Sequence, residues 1–174
     1  MKKNKSIVKL VFCSLFSALG IVMLWIGGAL GDLDLTIAGV ASLLILIVII
    51  ELNGKYALLV YIVTSALSLI LFPGYYITMI YTLFVGVYPI LKFLFEKIGK
   101  LLSLIPKLIF MNLMLTSLIF IGKKLFGIEE DIMLWIVYLL ANIAFLIFDF
   151  TLSKIKDLYI SVLQKRIGIY KLFK

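Results

Sequence analysis

No histidine occurs anywhere in the 174 residues. Imidazole is the usual base, proton relay and metal ligand near neutral pH, so mechanisms built on it are excluded. A single cysteine, Cys13, permits no intramolecular disulfide and no thiolate metal cluster. Acidic residues are scarce too, nine against seventeen Lys and Arg, and only 15% of residues are charged. What the chain has in abundance is hydrocarbon. Apolar residues make up 64% of it, against about 45–50% in soluble domains, and the mean hydropathy is +1.23. No single soluble core of this length could hide that surface from water. Lipid is the solvent that fits.

At ~20 residues per span, the apolar runs give six transmembrane helices, at 7–28, 34–51, 55–72, 75–96, 102–122 and 131–152. The fold expected is an all-α integral membrane protein. Its spans form one domain over 1–152, and 153–174 form a basic amphipathic helix. In that last segment Ile155, Leu158, Tyr159, Val162 and Leu163 keep helical spacing, while Lys154, Lys156, Lys165 and Arg166 fall off the stripe. Such a helix suits the anionic lipids of the cytoplasmic leaflet, or a partner. Pro106 fits the first turn of span five, and Pro89 predicts a kink inside span four.

The net charge of +8 does not point to nucleic acid, because the basic residues stand at the ends of apolar runs. With both termini cytoplasmic, fifteen of the seventeen fall on the inside, leaving only Lys123 and Lys124 outside. A multi-pass protein of the cell membrane is expected. The first apolar run is longer than a signal-peptide core, so it reads as a retained helix.

Ionisable residues within the spans are few, which speaks against an enzyme. Asp149 stands near the cytoplasmic end of span six and can pair with a lysine such as Lys107. Glu129, Glu130 and Asp131 lack the separated spacing of a diphosphate–magnesium site. With Asp32 and Asp34 they either favour positive helix ends or ring an outer vestibule. No metal site or cofactor is expected.

Asn112 and Asn142 lie near mid-span, where an amide must find a partner. They either bond each other as helix glue or line a cavity. Trp135, Tyr138 and Asn142 follow i, i+3, i+7 spacing on span six, and Thr78, Tyr81 and Thr82 share a stripe on span four. An aromatic belt explains part of this pattern. A pocket for a flat, ring-bearing solute between spans four, five and six explains it as well. In that case the substrate-binding residues are Thr78, Tyr81, Thr82, Asn112, Trp135, Tyr138 and Asn142.

Six short spans, a basic tail leading into span one, and the run LTIAGVASLLILIVIIELNGKYALLVYIVTSALSLILF with its Asn53–Gly54 turn resemble the substrate-binding S-component of energy-coupling-factor (ECF) transporters. The resemblance covers nearly the whole chain, mostly as architecture. It implies capture of a vitamin-like small molecule from outside for an ATP-driven importer, whose ATPase subunits are separate chains. It also implies docking to a coupling transmembrane subunit through an Ala-xxx-Ala-like stripe on span one. The nearest match here is Ser14-Leu-Phe-Ser-Ala18, with serine in place of the first alanine. The lack of histidine speaks against the nickel- and cobalt-binding branch. The competing function is a non-transporting membrane scaffold or cell-envelope assembly factor.

Overall fold

A computed structural model describes residues 2–31, 33–99, 102–126 and 134–164, and among these every regular element is helical. Helices α1 (Lys2–Leu30), α2 (Asp34–Glu51) and α3 (Gly54–Leu71) come first. A composite segment follows: α4 (Tyr76–Ile80), a π-turn (Tyr81–Val85), α5 (Tyr88–Phe95) and a 3₁₀ turn (Glu96–Ile98). Then come α6 (Leu104–Phe126) and α7 (Leu134–Leu158), the latter running into a second π-turn at Tyr159–Leu163. Six stretches are long and apolar enough to cross a membrane: Lys5–Leu30, Asp34–Glu51, Gly54–Leu71, Tyr76–Ile98, Leu104–Lys124 and Leu134–Val162. They coincide with the six apolar runs of the sequence and mark a multi-pass membrane protein. The last passes residue 152 without a break, and residues 165–174 lie outside the described residues.

The boundaries have local causes. Gly31 takes φ +70 and closes α1, its N–H donating to the Gly27 carbonyl at 3.0 Å. Asn53 caps α3 by accepting from the Lys55 and Tyr56 amides at 3.0 and 3.3 Å. Only Leu52 and Asn53 separate α2 from α3. At the Pro73–Gly74 turn the Tyr75 amide donates to the Phe72 carbonyl at 3.1 Å.

The chain divides into two compact units, Met1–Ile90 with Leu152–Lys174, and Leu91–Thr151. In the first unit α1, α2 and α3 pack on one another, and α4 packs on all three. Lipid tails are as apolar as leucine, so helices here associate through close contact rather than by escaping water. The sequence supplies that contact with small residues. Cys13, Ser17, Gly20 and Leu24 form the buried stripe of α1. Cys13 joins Ile45 and Val48 of α2 and Ala57 and Val60 of α3 in the core. A Cβ at Gly20 would stand 3.0 Å from Thr64 Cγ2, and one at Gly28 would fall inside the Tyr75 ring. The opposite face of α1 exposes Ile7, Val11, Leu15 and Val22.

Span four is irregular, and Pro89 explains why. A proline cannot donate to the carbonyl four residues back, here Val85. The helix widens upstream instead, and the Gly86 amide donates to the Tyr81 carbonyl at 2.8 Å in a five-residue step. The kink expected at Pro89 is therefore taken up over Tyr81–Val85. Gly86 is required there, since a Cβ would lie 2.8 Å from both the Tyr81 ring and the Tyr81 carbonyl oxygen. Backbone cannot yield as a flexible side chain does. Gly86→Ala is expected to destabilise the protein by about 1–3 kcal/mol, read as a lower midpoint of thermal unfolding in detergent. An unchanged midpoint would show that the π-turn tolerates a side chain.

Candidate functional site

Helix α3 carries Tyr61, Thr64, Ser65 and Ser68 at i, i+3, i+4 and i+7, which places all four on one stripe. Thr64, Ser65 and Ser68 are buried. The stripe faces span four. The Tyr61 hydroxyl donates to the Thr82 carbonyl at 2.7 Å, and the Tyr61 and Tyr81 rings are 6.4 Å apart between centroids. The Tyr81 phenol turns toward Thr64 and the Tyr61 phenol toward Ser65. Neither Thr64 Oγ1 nor Ser65 Oγ closes a hydrogen bond of ordinary geometry. Ser17, Ser68 and Thr82 likewise have buried hydroxyl oxygens with no partner within the protein. Ser17 lies one turn from Gly20, the residue against which Thr64 packs.

This is unusual for hydroxyls on apolar helices, which commonly return a bond to their own backbone. Thr78 does so, donating to the Tyr75 carbonyl at 2.7 Å, as do Ser117 and Thr151 four residues back. Ser17, Thr64, Ser65, Ser68 and Thr82 do not. Burying an unpaired hydroxyl costs about 1–3 kcal/mol, so this column is polar capacity that the fold leaves unspent. Thr78 and Tyr81 are almost completely buried beside it.

The second unit handles its polar groups in the opposite way. Asn112 on α6 and Asn142 on α7 exchange reciprocal amide bonds of 3.1 and 3.0 Å. Their remaining N–H groups reach the Leu108 and Tyr138 carbonyls at 2.9 and 2.8 Å, so all four amide protons are used. Thr116 Oγ1 donates to the Asn112 carbonyl and meets the Tyr138 hydroxyl at 2.7 Å. The pairs 107/149, 112/142 and 116/138 form one antiparallel seam. Asn112, Tyr138 and Asn142 are thus brought together, whereas Trp135 is 63% exposed on α7. Beside the seam, Asn112, Leu113, Thr116, Ser117, Phe120 and Ile121 line an open groove.

At the lysine-rich end of the seam four charges alternate in a closed ring. Lys92 contacts the Asp149 carboxylate and donates to its backbone carbonyl at 2.8 Å; it also lies 3.2 Å from Glu96. Lys107 lies 3.3 Å from Glu96 and 3.1 Å from both Asp149 oxygens. Both lysines are 3% exposed. The pairing of Asp149 with Lys107 follows the sequence expectation. Lys92 and Glu96 are not legible there, since both stand at the end of the fourth apolar run.

Glu51 was missed as well. It closes α2, is buried, and accepts the Tyr159 hydroxyl at 2.9 Å, tying the second π-turn to α2. One acid ending an apolar run is the signal that could have found it. Ser14 and Ala18 are exposed on α1, with Ser14 Oγ donating to the Val11 carbonyl. Asp34 stands in the first turn of α2, while Asp32, Glu129, Glu130 and Asp131 lie outside the described residues. Among the described residues no three Cys, Asp or Glu side chains gather as a metal ion would require.

A reciprocal amide pair has a measurable coupling. Interhelical hydrogen bonds in membranes average ~0.6 kcal/mol and reach ~1.7, and Asn112–Asn142 contributes two. A double-mutant cycle with Asn112→Leu and Asn142→Leu, followed by unfolding in mixed micelles, is expected to give coupling of about 1–2 kcal/mol. Additive losses would show that the two amides act independently.

Comparison with protein families, curated proteins and solved structures returns no match, so geometry and sequence alone carry the functional reading.

Proposed function

We propose that the chain is a membrane-embedded solute-binding subunit. It captures a vitamin-like small molecule from outside and passes it to a separate ATP-driven machine of the ECF type. The observation that carries this reading is the set of buried hydroxyls on α1, α3 and span four: Ser17, Ser68 and Thr82 stand without partners, and Thr64 and Ser65 face phenols without closing a bond of ordinary geometry. Such atoms on apolar helices fit a site completed by a ligand. The π-turn at Tyr81–Val85 supports it, because π-turns recur at functional sites and irregular backbone in a membrane belongs where it is buried or lines a cavity. Ser14 and Ala18 stay exposed, which leaves them open to a coupling subunit.

A second reading, a scaffold or envelope-assembly factor, is favoured by the seam between α6 and α7. Its amide protons are all satisfied internally, and its ions are paired. The substrate role of Asn112, Tyr138 and Asn142 is weaker for that reason than that of Tyr81 and Thr82, and Thr78, which bonds the Tyr75 carbonyl, is satisfied internally as they are.

Orientation follows from charge, with both termini cytoplasmic in the cell membrane. In a Cys13→Ala background, Gly74→Cys and Gly127→Cys are expected to react with an impermeant maleimide on intact cells. Lys5→Cys should react only after permeabilisation, and the reverse pattern would overturn the topology.

The solute reading is tested by mass spectrometry of small molecules released from protein purified into lipid nanodiscs. A single non-lipid solute near stoichiometric amount is expected. Removing one hydrogen bond, by Tyr81→Phe or Ser68→Ala, should weaken retention by roughly tenfold. A wild-type protein that releases no solute and co-purifies with wall-synthesis proteins would establish the scaffold instead.

A further inference from the structure

The buried side-chain oxygens of α1, α3 and span four that close no bond of ordinary geometry are all hydroxyls, and none of them carries charge. From this we infer that the site selects an uncharged solute bearing several hydrogen-bonding groups and turns away carboxylates, phosphates and ammonium ions. The inference rests on the solute-binding reading and deepens it by naming the class of ligand.

A serine or threonine hydroxyl can donate once and accept twice, so it matches an amide, an alcohol or a ring nitrogen equally well. Ser17, Ser68 and Thr82 supply three such groups, and Thr64 and Ser65, each faced by a phenol, keep part of their capacity. Tyr61 spends its proton on the Thr82 carbonyl and keeps only acceptor capacity. Its ring and that of Tyr81, tilted by 39°, make this part of the column aromatic as well as polar.

A charged solute would need a counter-charge, because an ion desolvated without one is strongly disfavoured. The buried charged side chains among the described residues are Glu51, Lys92 and Lys107. Glu51 is engaged by Tyr159 through one oxygen and keeps the other buried at the end of α2, apart from the α3 stripe, and both lysines face Glu96 and Asp149. The hydroxyl column therefore has dipoles to give but no charge.

The test uses the full chain in lipid nanodiscs, with Cys13→Ala as background and Ser68→Cys or Thr82→Cys added singly. Three methanethiosulfonates of similar size are the probes: the neutral hydroxyethyl, the anionic sulfonatoethyl and the cationic trimethylammonioethyl reagents. Rates are read by intact mass and normalised to Gly74→Cys, an exposed turn position with open space around it. The neutral reagent is expected to modify both sites at least roughly 100-fold faster than either charged one. Charged reagents reacting within about tenfold of the neutral one would overturn the inference and leave solute binding standing. If no reagent reaches Ser68→Cys or Thr82→Cys while Gly74→Cys reacts, the column is sealed and the solute-binding reading falls too. Phe120→Cys, on an exposed apolar position of α6, controls for delivery through lipid. An equal neutral preference there would assign the selectivity to the bilayer and overturn the inference.

Discussion

In hydrocarbon a polar atom must find its partner inside the protein, since no water stands by to supply one. That constraint organises this chain more than apolar packing does. Apolar side chains cost nothing to leave facing lipid, and large ones such as Ile70, Ile109, Phe120 and Ile147 do face outward. The few polar residues are the costly ones, and where each finds its partner decides how neighbouring helices meet.

The two units answer the constraint differently. Between α6 and α7 the answer is reciprocity: an amide against an amide, a threonine against a phenol, two lysines against two carboxylates. The ring of ions is neutral as a set, which is the condition under which buried charge is tolerable. In the first unit the helices meet closely through Gly20, Gly28 and Cys13, and this close approach joins the Tyr61–Thr82 and Tyr159–Glu51 hydrogen bonds as the means of association. That closeness brings Tyr61 of α3 against the Thr82 carbonyl and the Tyr81 phenol toward Thr64, and leaves Ser68 without a partner within the protein.

How far the sequence reveals this depends on the scale of the feature. Span limits are legible because they are local: Asp34–Glu51 agrees residue for residue, and Asn53 fixes the start of α3 through its own side chain. The Asn112–Asn142 and Lys107–Asp149 pairs are legible because each residue type forces a search for a partner among very few choices. The α3 stripe is not, because serine and threonine ordinarily satisfy themselves on their own helix and so signal nothing. Only the fold shows which of them fail to do so. Pro89 announces a break, but the break lies upstream, because the missing N–H is felt at the Val85 carbonyl rather than at the proline itself.

The contrast between seam and column also separates polarity that the fold satisfies from polarity that it does not. A polar residue retained for packing should be matched in kind and number by its neighbours, since any mismatch is a standing loss of stability. The seam meets that criterion donor for acceptor. The column does not: Ser17, Ser68 and Thr82 have no partner, and Ser65 faces a phenol that has already given its proton to a carbonyl. Alanine or glycine would fill those positions at no polar cost and would suit the close α1–α3 contact equally well. A fold that keeps hydroxyls there gains nothing from them alone. The deficit acquires a use once a molecule that can both donate and accept completes the set.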